Sequence, residues 1–221
     1  MTPPARKPMT AVRMAARTAL ILFLFVVVFT ALLAGVYLWT LPSIEAAATG
    51  EKMKLIDEVL PRERYDNDLF ADAVSFDAAP GIGPGVGEPA RILRARKGGR
   101  IEALLIEAVA HDGYAGDIRL LLALDAEGRI IGVRVVAHKE TPGLGDYIDA
   151  RKDPDKARPW ITQFDGLNPA AASAREWKVK KDGGRFDSMA GATVSPRAVI
   201  KAVREAALFV AANREKIMAS R

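Results

Sequence analysis

Residues 187–203 read DSMAGATVSPRAVIKAV and place one hydroxyl, that of Thr193, in a small-residue turn just ahead of a helix start. The first N–H groups of a helix lack intrahelical partners, and the helix dipole puts about half a positive charge there. A phosphate beside Thr193 would therefore be held by backbone alone, with Gly191 and Ala192 small enough to let it approach. A free phosphate ester needs no hydroxyl at that spot, whereas a phosphodiester through Thr193 would fix a phosphorylated group beside the helix permanently. The ordinary alternative stays open: Ser and Thr are the commonest helix caps, and a plain capped loop has the same sequence. A second stretch, HKETPGLGDYI at 138–148, follows a strand pattern directly. Its Thr141, Pro142, Gly143 and Gly145 form a turn set that brings main chain close to whatever lies over it. Leu144 would stand exposed there, suited to stacking on a flat ring, or would fold back onto the core. Tyr114, between Gly113 and Gly116, has two roles open in the same way, ring stacking or covering the sheet.

Other chemistries fare worse. The chain has no cysteine, which removes disulfides, thiolate metal sites, cysteine-held iron–sulfur clusters and cysteine nucleophiles. With two histidines, His111 and His138, and no H-x-x-x-H spacing, a protein metal site is not expected. Ser195, His138 and Asp146 can be drawn as a hydrolase triad, but no nucleophile elbow accompanies them, and His138 reads as a strand-end residue. The net charge of +5 invites a nucleic-acid partner. Its distribution argues against one: Arg6, Lys7, Arg13 and Arg17 precede residue 45 with no acid among them, leaving 28 basic residues against 27 acidic ones afterwards. The Gly- and Pro-rich run at 77–90 has no strand before it and no helix after it, so it reads as a connection rather than a phosphate cradle.

The elements that must position Thr193 and Leu144 are legible in the periodicity. Four β-type runs, 91–96, 100–109, 117–124 and 129–137, are separated by tight turns and predict a meander-like antiparallel sheet. In the last run Ile131, Val133, Val135 and Ala137 share one face, opposite Arg134 and His138. From Pro196 to about Ile217, apolar residues at spacings of three and four predict an amphipathic helix packed on that sheet, with Ser195 as its N-cap. The fold class is therefore α+β. Upstream, residues 18–39 hold no acid or base and would make a helix about 33 Å long, enough to cross a bilayer. Pro42 is expected to end it, and a separate short helix is expected over 51–60. The small residues at 46–50 leave signal-peptide cleavage as an alternative, but the apolar run is longer than such peptides carry. The four positive charges place residues 1–17 in the cytoplasm and everything after residue 41 on the far side, a bacterial-type periplasm. The organisation expected is a cytoplasmic segment 1–17, a transmembrane helix 18–40, a membrane-proximal helix and linker 41–90, and an extracytoplasmic domain 91–221.

DGYAGDI at 112–118, HKETPGLGD at 138–146 and WKVKKDGGRFDSMAGATVSPRAVIKAV at 177–203 together resemble the G subunit of the Rnf ion-translocating electron transport complex. A more distant likeness is to the C subunit of the sodium-pumping NADH:quinone oxidoreductase, against which the short chain and the KKDGG run count. The resemblance implies an FMN-binding domain with FMN joined through its phosphate to Thr193 by a magnesium-dependent flavin transferase that uses FAD. Asp187 matches the acidic residue leading the modification motif, and Gly191 and Ala192 match its small positions. Ala190 departs from the family, which usually has Ser or Thr there, but that hydroxyl is not the acceptor. The resemblance also carries Glu140, Thr141 and Leu144 over as isoalloxazine contacts. Lys180 and Lys181 have two roles open, neighbours of the phosphate or ring or, more ordinarily, solvent-facing lysines. The implied function is an electron-transfer subunit of a bacterial inner-membrane complex that couples reduced ferredoxin and NAD to ion translocation, with no independent turnover. Its partners would be the complex's other subunits, the flavin transferase and the membrane, with no nucleic acid. The reading from another class is an anchored binding or assembly module without a redox centre, in which Thr193 merely caps a helix.

Overall fold

The computed structural model describes residues 11–77, 79–85 and 87–219, and the chain divides into two compact units, Met1–Glu51 and Lys52–Arg221. Arg6 and Lys7 of the basic N-terminal segment lie outside the described residues. Helix α1 runs Ala11–Val59 without a break. Pro42, expected to end it, lies inside it, so the separate short helix at 51–60 is instead the end of α1. A proline removes one backbone hydrogen bond and crowds the preceding turn, and a helix with many intact turns on either side absorbs that loss. In the first unit the large apolar side chains from Leu20 to Trp39 stand exposed around the whole helix. The stretch Ala11–Ile44 is long and apolar enough to cross a membrane, and none of the described residues covers its most apolar part.

The second unit is built on one antiparallel sheet of five strands in sequence order: β1 (Ala73–Phe76), β2 (Ala90–Lys97), β3 (Arg100–Ala110), β4 (Ile118–Asp125) and β5 (Ile130–Ala137). The last four agree with the expected runs to within a residue or two, and β1 is an addition. Four residues, AVSF, are too short to show a period, and pairing with β2 supplies what the local sequence does not. The sheet is buried on both faces. Leu104, Ile106, Leu120, Leu122, Val133 and Val135 face one core, against α2 (Val194–Ala212). Leu105, Leu121 and Ala123 face the other, against Leu55, Ile56 and Val59 from the end of α1. This two-sided burial explains why β3 and β4 read as nearly continuous apolar runs.

The expected face of β5 needs a correction. Ile131 packs with the second core while Val133 and Val135 sit in the first, because the β4–β5 pairing shifts between Ala123 and Leu124 and inserts an extra residue. A second shift between Arg119 and Leu120 leaves Ala137 exposed. The C-terminal helix is also corrected: it breaks at Asn213, and a short helix α3 (Arg214–Ala219) follows. Between β5 and α2 lie 3₁₀ turns in place of strands. An aromatic cluster holds them, with Phe164 4.7 Å from Phe186 and Trp160 5.8 Å from Tyr147 between ring centroids.

Candidate functional site

Two turns of the same design face each other at the end of the sheet next to the start of α2. In residues 141–144 the Leu144 N–H donates to Thr141 O at 3.1 Å, with Pro142 second and Gly143 third at φ +74°. In residues 189–192 the Ala192 N–H donates to Met189 O at 3.1 Å, with Ala190 second and Gly191 third at φ +82°. A positive φ at the third position is the region glycine occupies without strain, so both glycines are set by the turn itself. Ala190, the departure from the resemblance, occupies a turn position that needs no hydroxyl.

Glu140 ties three separated motifs together. Its carboxylate, 3% exposed, accepts from the Ala115 N–H at 3.1 Å and from the Ser195 hydroxyl at 2.5 Å. Its own N–H donates to His138 Nδ1 at 3.1 Å, which gives that histidine a structural partner. Ser195, expected as the helix N-cap, is therefore inside α2 and bonded to a buried carboxylate rather than to the helix backbone or an imidazole. The N-cap position belongs to Thr193, whose side chain makes no capping bond. The closeness of the walls shows at two glycines. A Cβ on Gly145 would lie 2.5 Å from Ser195 Oγ and 2.7 Å from Glu140 Oε2, and one on Gly113 would lie 2.1 Å from Gly116 O.

Tyr147 holds the second turn to the first. Its hydroxyl accepts from the Met189 N–H and donates to Ala192 O, both at 3.1 Å. Burial pushes the phenol above its ordinary pKa, against the Met189 hydrogen bond, so the hydroxyl stays protonated and able to donate.

These elements enclose an open cavity of about 290 Å³. Tyr114, Glu140, Thr141, Leu144, Gly191 and Ala192 line it, together with Gly145, Val194 and Ser195. Tyr114 and Leu144 stand 72% and 50% exposed at its rim. Thr193, half-buried, sits between two lining residues, and its Oγ1 accepts from Arg197 Nη1 at 3.1 Å. Lys180 lies outside this lining and pairs with Asp187 at 2.6 Å. Asp187 borders a second, larger cavity beside Trp160 and Tyr147, with its backbone pinned on both sides: its N–H donates to Gln163 Oε1 and its C=O accepts from Trp160 Nε1. Sequence reasoning missed Tyr147, Val194 and Arg197 and misassigned Ser195. For Arg197 a signal existed, since it stands four residues after Thr193 at the spacing that brings helix side chains together.

The RnfG N-terminal region model matches residues 9–59, and the FMN-binding domain model matches residues 113–208. The G subunit of the ion-translocating oxidoreductase complex of Pseudomonas aeruginosa is 43% identical over 203 residues, 92% of each chain. The chain belongs to the RnfG family. Other RnfG relatives agree: the G subunit of Yersinia pestis is 43% identical over 195 residues, covering 88% of this chain and 89% of its own, and that of Pseudoalteromonas atlantica is 40% identical over 205 residues, covering 93% and 92%. The RnfG N-terminal match ends at the last residue of α1. The FMN-binding match takes in every residue lining the cavity, Thr193 and Arg197.

Proposed function

We propose that the chain is the membrane-anchored flavin subunit of an ion-translocating oxidoreductase complex, carrying FMN as a phosphodiester on Thr193 and passing electrons through it while the complex couples ferredoxin and NAD to ion movement. The observation that carries this reading is the position of Thr193: it is the residue between two cavity-lining neighbours, with a hydroxyl that caps nothing. An apolar rim of Tyr114, Leu144 and Val194 over a floor of turn backbone fits a flat ring. A cavity of about 290 Å³ is at the small end for ligand sites, roughly 300–1,000 Å³, so part of the ring would stay open to a partner. Bound FMN would supply the redox chemistry. The protein's share is attachment at Thr193, orientation by the two turns, and the fixed carboxylate of Glu140 at the cavity wall.

The apolar stretch Ala11–Ile44 supports a single-pass anchor, and the four positive charges ahead of residue 18 support a cytoplasmic N-terminus and a periplasmic flavin domain in a bacterial inner membrane. The RnfG relatives favour this assignment over the C subunit of the sodium-pumping enzyme, and the FMN-binding match favours it over a module without a redox centre. The test is to coexpress the full chain with a flavin transferase and look for flavin fluorescence that stays with the polypeptide on a denaturing gel. The expected result is a fluorescent band in the wild type and in Ser195→Ala, and none in Thr193→Val. Absence of a band from the wild type overturns the reading.

A further inference from the structure

The Thr193 hydroxyl receives one side-chain hydrogen bond among the described residues, from Arg197 Nη1 at 3.1 Å. The other face of that guanidinium is fully engaged: Nε donates to Asp182 Oδ2 at 2.7 Å and Nη2 to Asp182 Oδ1 at 2.8 Å, a two-pronged pair that fixes the plane and leaves Nη1 aimed at Thr193. Arg197 and Asp182 are 43% and 35% exposed in their side chains, and exposed ion pairs contribute little to folding. The pair nonetheless holds both charges firmly, since the hydrogen bond from Arg197 lowers the Asp182 carboxyl below its ordinary pKa and the same bond raises that of Arg197. One turn further along α2, Lys201 donates to Asp112 at 2.6 Å and lines an open cleft together with Arg197 and Val194. Thr193, Arg197 and Lys201 thus follow one another four residues apart on one helix face. Lys180, the sequence candidate for a phosphate partner, is engaged by Asp187 instead.

We propose, resting on the reading that Thr193 carries the flavin phosphate, that Arg197 is the cation that guides attachment at Thr193 and then holds the phosphodiester, with Asp182 as its positioning residue. In the attachment Thr193 Oγ1 bonds to the flavin-side phosphorus of FAD and the bond from that phosphorus to the bridging oxygen breaks. AMP leaves with the electron pair, the hydroxyl proton passes to a base of the transferase or to water, and nothing is oxidised or reduced. A neutral hydroxyl thereby becomes a diester bearing one negative charge. Arg197 already reaches the attacking oxygen, so it stands beside the phosphate whose non-bridging oxygens carry that charge, and a guanidinium stays protonated throughout. Asp182 keeps the donor in place without facing the acceptor oxygen itself.

The test uses the full chain with a flavin transferase, FAD and magnesium, following attachment by in-gel fluorescence and intact mass. Arg197→Ala is expected to slow attachment about tenfold, the order of one charge-assisted hydrogen bond lost from the transition state, and Arg197→Lys to recover part of that rate. Asp182→Asn is expected to slow it by a smaller factor. On chains loaded to completion, the ³¹P resonance of the diester is expected to move in Arg197→Ala and Arg197→Lys, a readout that a merely structural role would leave alone. Wild-type attachment rates in Arg197→Ala overturn the proposal. So does slowed attachment with an unmoved ³¹P resonance, which assigns Arg197 to recognition by the transferase. A wild-type chain that takes no label overturns the covalent reading itself, whereas a labelled wild type with an indifferent Arg197 overturns only the role of that arginine.

Discussion

The two walls of the cavity share a turn design and differ in what fixes it. The wall from Glu140 to Asp149 carries an anchor of its own: Glu140, Asp146 and Asp149 are buried, and Asp146, just past the turn, accepts from the Gly143 N–H at 2.8 Å. The wall from Ser188 to Thr193 shows no such internal anchor among the described residues, and it is held across the gap by Ser195 on Glu140 and by the Tyr147 hydroxyl on Met189 and Ala192. One wall is a template and the other is fastened to it. On the proposed reading, the residue that a separate enzyme must reach is carried on the fastened wall, where the loop backbone is shaped and Thr193 is half-buried rather than enclosed.

Breaking the template should have the largest effect. Gly145→Ala puts a methyl against Ser195 and Glu140, and overpacking of this kind costs about 1–3 kcal/mol on top of the hydrogen bond it severs. Urea denaturation is expected to show the loss, and attachment of flavin at Thr193 should fall with it. Ser195→Ala removes one partner from a buried carboxylate, for an expected loss of about 1–3 kcal/mol by the same measurement. Tyr147→Phe frees a backbone N–H and C=O on the fastened wall alone, with about 1–2 kcal/mol expected. Its signature is in pH. The Tyr147 pKa is raised in the fold, so the folded state holds that proton more tightly, and its stabilisation is complete below the unfolded value of about 10 and lost as pH rises beyond it. The wild type should therefore lose stability in that alkaline window and Tyr147→Phe should lose less. The smallest effect is expected for Asp182→Asn, which should leave the thermal midpoint unchanged in a melting curve because the pair it breaks is exposed. A large drop there would show that the fastened wall depends on Arg197 for its shape.

Much of the fold was legible because its signals are local. Strands β2 to β5 alternate or run apolar between turn residues, and α2 repeats at spacings of three and four, so each could be read without knowing its partners. The elements that were missed or misplaced depend on distant residues. β1 exists through pairing with β2. The side chain of Ile131 changes face because the β4–β5 register slips. Ser195 looked like a cap because capping is the commonest local use of serine, yet a buried carboxylate 55 residues away in sequence takes its hydroxyl. Pro42 failed as a boundary since one missing hydrogen bond does not end a helix of 49 residues.

The sequence by itself determined the apolar span, the order and periodicity of the sheet and α2, the two Gly-containing turns, and Thr193 as the hydroxyl next to a helix start. Each follows from preferences within a few residues, which any chain segment expresses alone. Only the tertiary structure decided that Glu140 joins three motifs, that Tyr147 holds the turn before Thr193, and that Arg197 rather than Lys180 reaches the Thr193 oxygen. Those outcomes are set by distances between elements far apart in the chain, and packing of the sheet, the 3₁₀ turns and α2 fixes such distances where local preference has no hold on them.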